Sequence, residues 1–571
     1  MKGCQKFNFS FGFELILACV LFILLSVMMF VRPLGILQIQ KVYLFKVIIY
    51  GSLIKNVLFS GCKLMKRIMN MKKFISIGFL SGVIVFCGCS KEKVENPITP
   101  GVSISSEIKY ATSFAKEMLS TFYLWTSEIA SGIERLNVDT CTSPIAVVRK
   151  IRYNNGVTTS GVDVDKWTEL TNDISSWKNS TQGVETTFGY DLTPYRFRDS
   201  NDKVFFVVNF VFKNSPAEKA GIKRGDIILT LNGNSITTSN YVTAYYSSSI
   251  KVGMGTLNQE TNTISSNGIT HDLIAVRMYE DPILASASFD CGGKKVGYLA
   301  YSSFDLKSAQ ALIDICKKFK NESVEELILD LRYNGGGYVS TEELLGSLLA
   351  PESDVTGRHV FHTEVYNAQM TEYYKSKDKD LNTYFNTTHK VTSDGENYTE
   401  VSIADAILSP KKVYAIITGG TASASEGLLV GLSPYVAVDK IGQNSHGKYC
   451  TGWLISTEEV AENVPSENKN WGIYVMVSTF ADKDGNNASR PNGFVPDYNI
   501  GDDPFDGCQL GDENETMLRA ALVRAGKTDF TIPVSTRAID RLLVGKSLET
   551  PKRKTFGLRI GFMWDKLSMN E

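Results

Sequence analysis

The chain has 571 residues, which is too long for a single hydrophobic core and therefore predicts several domains. The chain has 60 lysine and arginine residues and 61 aspartate and glutamate residues. Its net charge is therefore close to zero and does not favour binding to nucleic acid or to strongly charged partners. The composition is that of a globular protein without a low-complexity tract.

The first 89 residues are more apolar than the rest. Residues 13–31 are long and apolar enough to cross a bilayer, and residues 42–59 form a weaker apolar segment. A third segment begins at Met71, where two lysines precede an apolar run that ends just before Cys89. This pattern predicts a signal peptide over residues 69–89. The small residues before the cysteine resemble a bacterial lipoprotein processing site, with Cys89 as the lipidated residue.

A signal peptide does not normally work from within a longer membrane segment. We therefore predict that translation starts at Met69 or Met71 and that residues 1–68 are upstream sequence. The alternative is a genuine N-terminal membrane anchor. Both alternatives place the residues after 90 outside the cytoplasm. N-terminal sequencing of the mature protein distinguishes them, because a mature chain that contains residues 1–68 excludes the lipoprotein interpretation.

Five of the ten cysteines follow the predicted lipidation site: Cys141, Cys291, Cys316, Cys450 and Cys508. Their number is odd and their spacing is not that of metal ligands. A disulfide framework or a zinc site is therefore not expected, although the sequence does not exclude one or two disulfide bonds.

The mature chain is predicted to begin with a linker and a small helical domain. Residues 90–105 are polar and contain proline and glycine, as in a flexible tether. Apolar residues then recur at every third or fourth position from Ser106, and further helices are expected near residues 144–153 and 164–177. We predict a helical N-terminal domain over residues 106–183.

From residue 184 the pattern changes to strands. Apolar β-type runs cover residues 186–192 and 203–212, and residues 215–233 read SPAEKAGIKRGDIILTLNG. This order of short helix, glycine-aspartate turn, strand and Asn-Gly hairpin resembles a circularly permuted PDZ domain of bacterial proteases, over residues 184–280. The resemblance implies that Phe188, Gly189 and Tyr190 bind the carboxylate of a peptide that adds to the sheet as a strand. A purely structural β domain is the alternative.

Residues 295–349 alternate between strands and helices, which predicts an α/β core. The buried strand over residues 326–331 runs into Gly335, Gly336 and Gly337. A phosphate-binding loop does not fit, because no Gly-Lys-Ser/Thr follows. Glycine backbones can point their N–H groups at a ligand, so an oxyanion hole fits better.

The remaining predictions complete the core. Residues 351–410 are polar and are expected to form an extended loop or lid, residues 471–480 a strand, and residues 513–525 a final helix. The core would cover residues 281–526. The tail, residues 527–571, carries a basic cluster that is expected to face solvent.

A serine-rich turn carries the strongest chemical signal. An apolar strand over residues 413–417 ends in two glycines, and a cluster of small residues containing Ser423 then leads into a helix near Glu426. A serine at a strand-to-helix junction lies near backbone N–H groups that can stabilise an anion. Lys448 follows in a loop after Gly447. We predict Ser423 as a nucleophile and Lys448 as its base.

The ordered set of features over residues 106–526 resembles the carboxyl-terminal processing proteases, a serine peptidase family that includes the tricorn core. The carrying motifs are ELILDLRYNGGG, TASASE, the Gly-Lys loop and GFVPD. The resemblance implies a multidomain α/β chain with a helical N-terminal domain, a PDZ-like β domain and a protease core of the ClpP/crotonase type. It assigns Ser423 and Lys448 to catalysis and Gly336, Gly337 and Ala424 to the oxyanion hole, with no cofactor and no metal.

The implied function is that of an extracytoplasmic serine endopeptidase, lipid-anchored at the periplasmic face of a membrane or at the cell surface. It would cut proteins or peptides with free C-termini, and it would not bind nucleic acid. One position departs from the family: a glutamine often follows the lysine by four residues, whereas this chain has Gly452. His446 could substitute for it or could be a surface residue.

Two other functions remain open. The first is a catalytically impaired lipoprotein that binds peptides through its PDZ domain. The second is an acyl-transfer enzyme for small molecules, for which no coenzyme A phosphate site is visible. Cys450 lacks the histidine partner expected of a nucleophile.

Overall fold

The computed structural model describes residues 103–154, 164–181, 183–486 and 492–531, which belong to one structural unit, residues 102–571. The predicted upstream segment (1–68), the signal peptide with Cys89 (69–89) and most of the linker and tail lie outside the described residues. Within the described residues, no helix is long and apolar enough to span a membrane.

Four helices and one short strand make up the described part of residues 103–181. The first helix follows the predicted apolar spacing, because Phe114 and Met118 are among its buried residues. Ser105 caps its N-terminus, since the Oγ accepts the N–H of Ile108 at 3.3 Å. The elements are α1 (Ser106–Thr121), α2 (Ala130–Ile133), α3 (Pro144–Ile151), β1 (Glu169–Thr171) and α4 (Ile174–Thr181).

The helix predicted over residues 164–177 is wrong in its position. Strand β1 lies inside that range, where Leu170 pairs with Ile473, and α4 begins only at Ile174. The strand depends on a partner far along the chain, which the local apolar spacing does not reveal.

The predicted run of strands after residue 184 is confirmed as a six-stranded antiparallel sheet in the order β3-β4-β5-β7-β8, with β6 paired to β5. Asn232 and Gly233 both have positive φ, 52° and 79°, as a two-residue hairpin requires. The elements are β2 (Val184–Thr187), β3 (Tyr190–Arg196), β4 (Val204–Val211), α5 (Pro216–Lys219), β5 (Ile227–Leu231), β6 (Asn234–Ser235), α6 (Thr243–Tyr246), β7 (Ser249–Asn258), β8 (Thr263–Ile274) and β9 (Val276–Tyr279).

The remaining described residues form the α/β part of the chain. Its elements are β10 (Ile283–Cys291), β11 (Lys294–Tyr301), α7 (Ala309–Asn321), β12 (Val324–Asp330), α8 (Val339–Leu349), α9 (Glu352–Thr356), β13 (Val360–Tyr366), α10 (Ala368–Ser376), β14 (Asn382–Tyr384), β15 (Thr388–Val391), β16 (Thr399–Ser402), β17 (Lys412–Ile417), α11 (Ala424–Leu432), β18 (Ala437–Gly442), β19 (Cys450–Ser456), α12 (Thr457–Val460), β20 (Gly472–Ala481), β21 (Tyr498–Asn499) and α13 (Thr516–Arg524).

The central sheet has the strand order β10-β11-β12-β17-β18-β21 and is parallel from β11 onward. Both of its faces are covered by helices, so the strands are buried apolar runs. Leu327 and Leu329 face a core shared with α7, α8 and α11, whereas Ile328 faces a core shared with α13. The predicted α/β core is confirmed.

The prediction of an extended loop over residues 351–410 is wrong. This segment contains two helices and four strands, and its first strand, β13, pairs with β20 of a second sheet. The polar composition hid a strand whose Phe361 and Tyr366 are buried by distant partners.

Two arrangements position the candidate site. Because β12 and β17 are parallel neighbours, the loops after their carboxyl ends lie side by side. Residues of α1 and α3 also share one hydrophobic cluster with β19 and β20, next to the loop that carries Lys448. All five described cysteines are unpaired.

Candidate active site

Ser423 occupies a strained position at the start of α11. Its backbone has φ 57° and ψ −117°, and its side chain is fully buried. A non-glycine residue with this backbone conformation stores strain, which often marks a functional site. The Oγ makes no hydrogen bond to any described residue, so a buried hydroxyl remains available for another group.

The Ser423 turn is bound to the loop after β12 by four hydrogen bonds. The Oγ1 of Thr421 donates to the backbone oxygen of Leu331 at 2.7 Å, and Thr418 donates in the same way to Arg332. The Asn334 oxygen accepts the Ala422 N–H and the hydroxyl of Ser425, both at 3.0 Å. The two loops therefore form one unit. Close contact between the two loops requires small side chains, and the hydrogen bonds require hydroxyl groups. The Thr-Ala-Ser-Ala-Ser sequence over residues 421–425 meets both requirements.

The glycine loop lies directly against Ser423. Gly336 has φ 103°, and a Cβ there would lie 2.8 Å from the Cβ of Ser423, so a larger residue does not fit. The Gly336 N–H donates to the Oδ1 of Asn334 at 2.9 Å. Among the described residues, the N–H groups of Gly337 and Ala424 donate no hydrogen bond. Of the three residues predicted to form an oxyanion hole, Gly336 thus already donates its N–H to Asn334, which leaves the N–H groups of Gly337 and Ala424 as the candidate donors.

Glu426 connects the Ser423 turn to the Lys448 loop. Its carboxylate accepts the N–H of Ser423 at 3.2 Å and the N–H of Gly447 at 2.9 Å, and it also accepts the hydroxyl of Ser445. Burial raises the pKa of Glu426 to about 7, although these hydrogen bonds act in the opposite direction. From the local sequence, Glu426 is expected only to begin a helix. Its position three residues after Ser423 is the capping-box spacing, which predicts that the Glu426 carboxylate accepts the Ser423 N–H.

The Lys448 side chain is fully buried. Its Nζ donates to the Oη of Tyr474 at 2.7 Å and lies 5.4 Å from the centre of the Trp167 ring. Burial lowers the pKa of Lys448 to about 7, and the negative charges of Asp165 and Glu426 oppose this only in part. A lysine with this pKa is half neutral near pH 7 and can act as a base.

The structure brings the loops of Ser423 and Lys448 together through Glu426, but the Oγ of Ser423 and the Nζ of Lys448 are not hydrogen-bonded. His446 lies on the Ser423 side, where its backbone N–H donates to Thr421 and its Nδ1 is 3.3 Å from the Gly419 oxygen. Tyr474, which no motif near Lys448 indicates, contacts the amine instead.

Within the part of the chain that the structure describes, neither Cys450 nor a group of metal-ligand side chains forms a second candidate site. The Cys450 thiol is fully buried, and this burial raises its pKa, so it stays protonated and weakly reactive. Among the described residues, no three His, Cys, Asp or Glu side chains are grouped as metal ligands.

A buried ionic cluster joins the antiparallel sheet to the glycine loop. Arg224, from the turn before β5, and Arg332, from the loop after β12, are both about 1% exposed. Both contact Asp502 and Glu515, and Arg332 also pairs with Asp330 at 2.7 Å. The two guanidinium groups hold the pKa of Asp502 below its usual value although burial opposes them. The cluster fixes the backbone that leads into Gly336.

The residues predicted to hold a peptide carboxylate lie at the start of β3. Phe188 and Tyr190 are buried, and Gly189 has φ 77°. The Gly189 N–H donates to the Oγ1 of Thr187 at 2.9 Å, and the Phe188 oxygen accepts the N–H of Ala217. Strand β3 is the edge of its sheet, the position at which a peptide strand can add.

Comparison with known proteins agrees with this division of the chain. Residues 207–247 match the PDZ domain family, and residues 295–500 match peptidase family S41. The carboxy-terminal processing protease CtpB of Bacillus subtilis (strain 168) is 27% identical over 241 residues, 42% of this chain and 42% of the relative. The carboxyl-terminal-processing protease of Picosynechococcus sp. is 22% identical over 314 residues, 54% of this chain and 64% of the relative.

A solved structure supports the fold. A Bacteroides fragilis NCTC 9343 protein described as an S41 protease superposes with a TM-score of 0.56 at 23% identity, covering 73% of this chain and 98% of that one. The matches to the two processing proteases span less than two thirds of their lengths. The predicted fold class, a mixed α/β chain with a PDZ domain and a protease core, is confirmed. Residues 295–500 therefore match peptidase family S41, and the chain is similar over about half of its length to carboxyl-terminal processing proteases.

Proposed function

We propose that this chain is a serine endopeptidase in which Ser423 is the nucleophile and Lys448 the general base. One observation carries the proposal most strongly: a fully buried lysine, whose pKa burial lowers to about 7, lies in the loop that Glu426 ties to a strained, unpartnered serine. Burying an amine is unfavourable for stability, which makes a functional reason for this lysine more plausible than a structural one.

The proposed mechanism uses only groups of this chain. Neutral Lys448 takes the Ser423 proton as the Oγ attacks the peptide carbonyl, which requires the Ser423 hydroxyl and the amine to approach as substrate binds. The N–H groups of Gly337 and Ala424 receive the negative oxygen. Lys448 then gives the proton to the leaving amine, and water releases the acyl group from Ser423 in a second cycle.

The pH dependence tests this proposal. Because only the neutral amine accepts a proton, kcat/KM for a peptide substrate should rise through pH 7 and level off above it, falling about tenfold per unit on the acid side. A pH-rate profile measured with a fluorogenic peptide from pH 5 to 9 checks this result.

Glu426 supplies the control, because its pKa is also about 7. The Glu426→Gln variant should keep an acid limb, moved toward lower pH by the loss of a carboxylate near Lys448. If the limb disappears in this variant, Glu426 rather than Lys448 is the titrating group, and the proposed base is wrong.

We further propose that the PDZ domain captures the C-terminal tail of extracytoplasmic substrates and that Cys89 carries a lipid anchor. The edge position of β3 and the PDZ match support tail capture, and the signal-peptide pattern supports the anchor. Mass spectrometry of the mature N-terminus checks the anchor: a chain that begins at an acylated Cys89 supports it, and an unmodified Cys89 excludes it.

The open edge of β3 limits how a tail can bind. The backbone oxygen of Leu192 accepts the Oη–H of Tyr245 at 3.1 Å and is therefore occupied on the side of β3 that this tyrosine covers. Pro194, two residues on, shares this side of the strand and has no N–H to donate. A tail can therefore pair with β3 mainly at Leu192, after Tyr245 releases the oxygen.

Replacing Tyr245 should strengthen tail binding. In Tyr245→Phe the Leu192 oxygen is free for the incoming strand, and losing one competing hydrogen bond corresponds to an affinity gain of about 2- to 10-fold. Fluorescence titration with a labelled peptide that has a free C-terminus measures this gain, and the amidated peptide should bind more weakly. Tyr195→Phe, on the same strand, is the control. Weaker binding by Tyr245→Phe, or equal binding of the amidated peptide, would contradict tail capture at this edge.

A further inference from the structure

A tyrosine from the neighbouring strand holds the amine of Lys448. Tyr474 lies in β20, which pairs with β19 immediately after the Lys448 loop, and its Oη accepts a hydrogen bond from the Nζ at 2.7 Å. Both side chains are 0% exposed. A hydrogen bond between two groups shielded from water fixes a long, flexible side chain more firmly than the same bond at the surface.

The Tyr474 ring reaches the amine because residue 452 has no side chain. A Cβ at Gly452 would lie 2.4 Å from the Cζ of Tyr474 and 2.3 Å from the Cε of Met476. The ring therefore occupies the space into which a side chain at 452 would project. Glycine at this position and tyrosine at 474 form a matched pair, in which one strand leaves the space and the other fills it.

The surroundings hold the tyrosine in place. The Trp177 ring lies 6.3 Å from the Tyr474 ring, and the Trp167 ring covers the amine. The carboxylate of Asp165 accepts the backbone N–H of Trp167 at 2.8 Å and thereby holds the backbone that carries this indole. Burial raises the pKa of Tyr474 well above its usual value, so the phenol stays neutral and keeps its hydrogen-bonding role at working pH.

We propose that Tyr474 is a positioning residue for Lys448. Its hydroxyl accepts one N–H of the neutral amine, so that the amine lone pair is left for the Ser423 proton. This inference rests on the proposed function. The effect of Tyr474 on the amine of Lys448 can nevertheless be measured without a substrate.

The Tyr474→Phe variant tests the inference, because it keeps the ring above Gly452 and removes only the hydroxyl. The plateau kcat should fall about 10- to 100-fold, the range expected when one buried hydrogen bond is lost, while KM stays within about twofold. The acid limb should move to lower pH, because the lost oxygen stabilised the charged amine against the burial of Lys448. The acidic groups near this amine, Asp165, Glu426 and Cys450, are unchanged in the variant.

Tyr414→Phe is the matched control, since that buried hydroxyl donates to Glu326 at 3.0 Å in the central sheet, away from Lys448. It should leave kcat and the acid limb unchanged. Equal losses in the two variants, or a Tyr474→Phe variant with wild-type or higher kcat, would overturn the positioning role.

A second readout separates this inference from the proposed function. The titration of Lys448 is followed in the full chain by 13C NMR of labelled lysine, with the Lys448→Met variant providing the assignment. A lower pKa in Tyr474→Phe supports the positioning role, and an unchanged pKa overturns it. If the wild-type chain hydrolyses no peptide, the proposed function fails, and this titration alone still decides the role of Tyr474.

Discussion

Replacement of Ser423 by alanine is expected to lower peptide hydrolysis by about 10⁴- to 10⁶-fold, the range seen when a serine peptidase loses its nucleophile. The reason is local: Ser423 holds a buried, unpartnered hydroxyl at the strained start of α11, against Gly336 of the glycine loop. Removing its oxygen leaves the Gly337 and Ala424 donors in place, so a small residual rate above water is expected.

The matched control is Ser433→Ala, at the other end of α11. Its hydroxyl donates to the Leu429 oxygen within the same helix, away from the glycine loop. Hydrolysis should stay within about twofold of wild type, because the helix start is unchanged. Steady-state assays on both variants, with circular dichroism to check folding, provide the measurement. A Ser423→Ala variant that still cleaves at a tenth of the wild-type rate would exclude Ser423 as the nucleophile.

Replacement of Arg332 by methionine is expected to lower the free energy of unfolding by about 3–5 kcal/mol, the usual cost of removing one partner from a buried ionic cluster. Asp502 and Glu515 would keep Arg224 as an arginine contact, whereas Asp330 would lose its arginine partner. Activity at temperatures where the variant is folded should also fall, because Arg332 leads directly into the glycine loop. Urea denaturation gives the change in stability.

The stability that the buried ionic cluster contributes should decrease as the pH falls. Arg224 and Arg332 hold the pKa of Asp502 below its usual value against the effect of burial. The carboxylate therefore contributes stability that is complete above about pH 4 and is lost as the pH falls toward the folded pKa. Lys411→Met, which breaks the exposed pair with Glu325, is the control and should leave stability unchanged. Equal stabilities for Arg332→Met and wild type would show that the cluster does not hold the loop.

Local sequence predicted the parts of the site that are local in structure. The strand over residues 412–417, the turn with Ser423 and the glycine loop are each encoded within a few residues, and their small side chains follow from close packing between two loops. The parallel order of β12 and β17, which brings these loops together, follows from the alternation of strands and helices.

The remaining features depend on partners that are distant in sequence. Tyr474 meets Lys448 only because β19 and β20 pair. Arg224 and Arg332 share Asp502 and Glu515 only because the turn before β5 contacts the loop after β12. Strands β1 and β13 were missed for the same reason, since both pair with β20, which is far along the chain. Gly452 was recognised as a departure from the family, but the ring that fills its space cannot be read from a single position.

Covalent labelling of the active-site serine tests the central claim most directly. A fluorophosphonate reagent reacts with a serine only when a base activates its hydroxyl, and peptide mass mapping identifies the labelled residue without a known substrate. The proposed Ser423–Lys448 pair predicts one label on Ser423, at a rate that rises through pH 7, and essentially none in Lys448→Met. A label on another residue, or labelling of Lys448→Met at the wild-type rate, would contradict it.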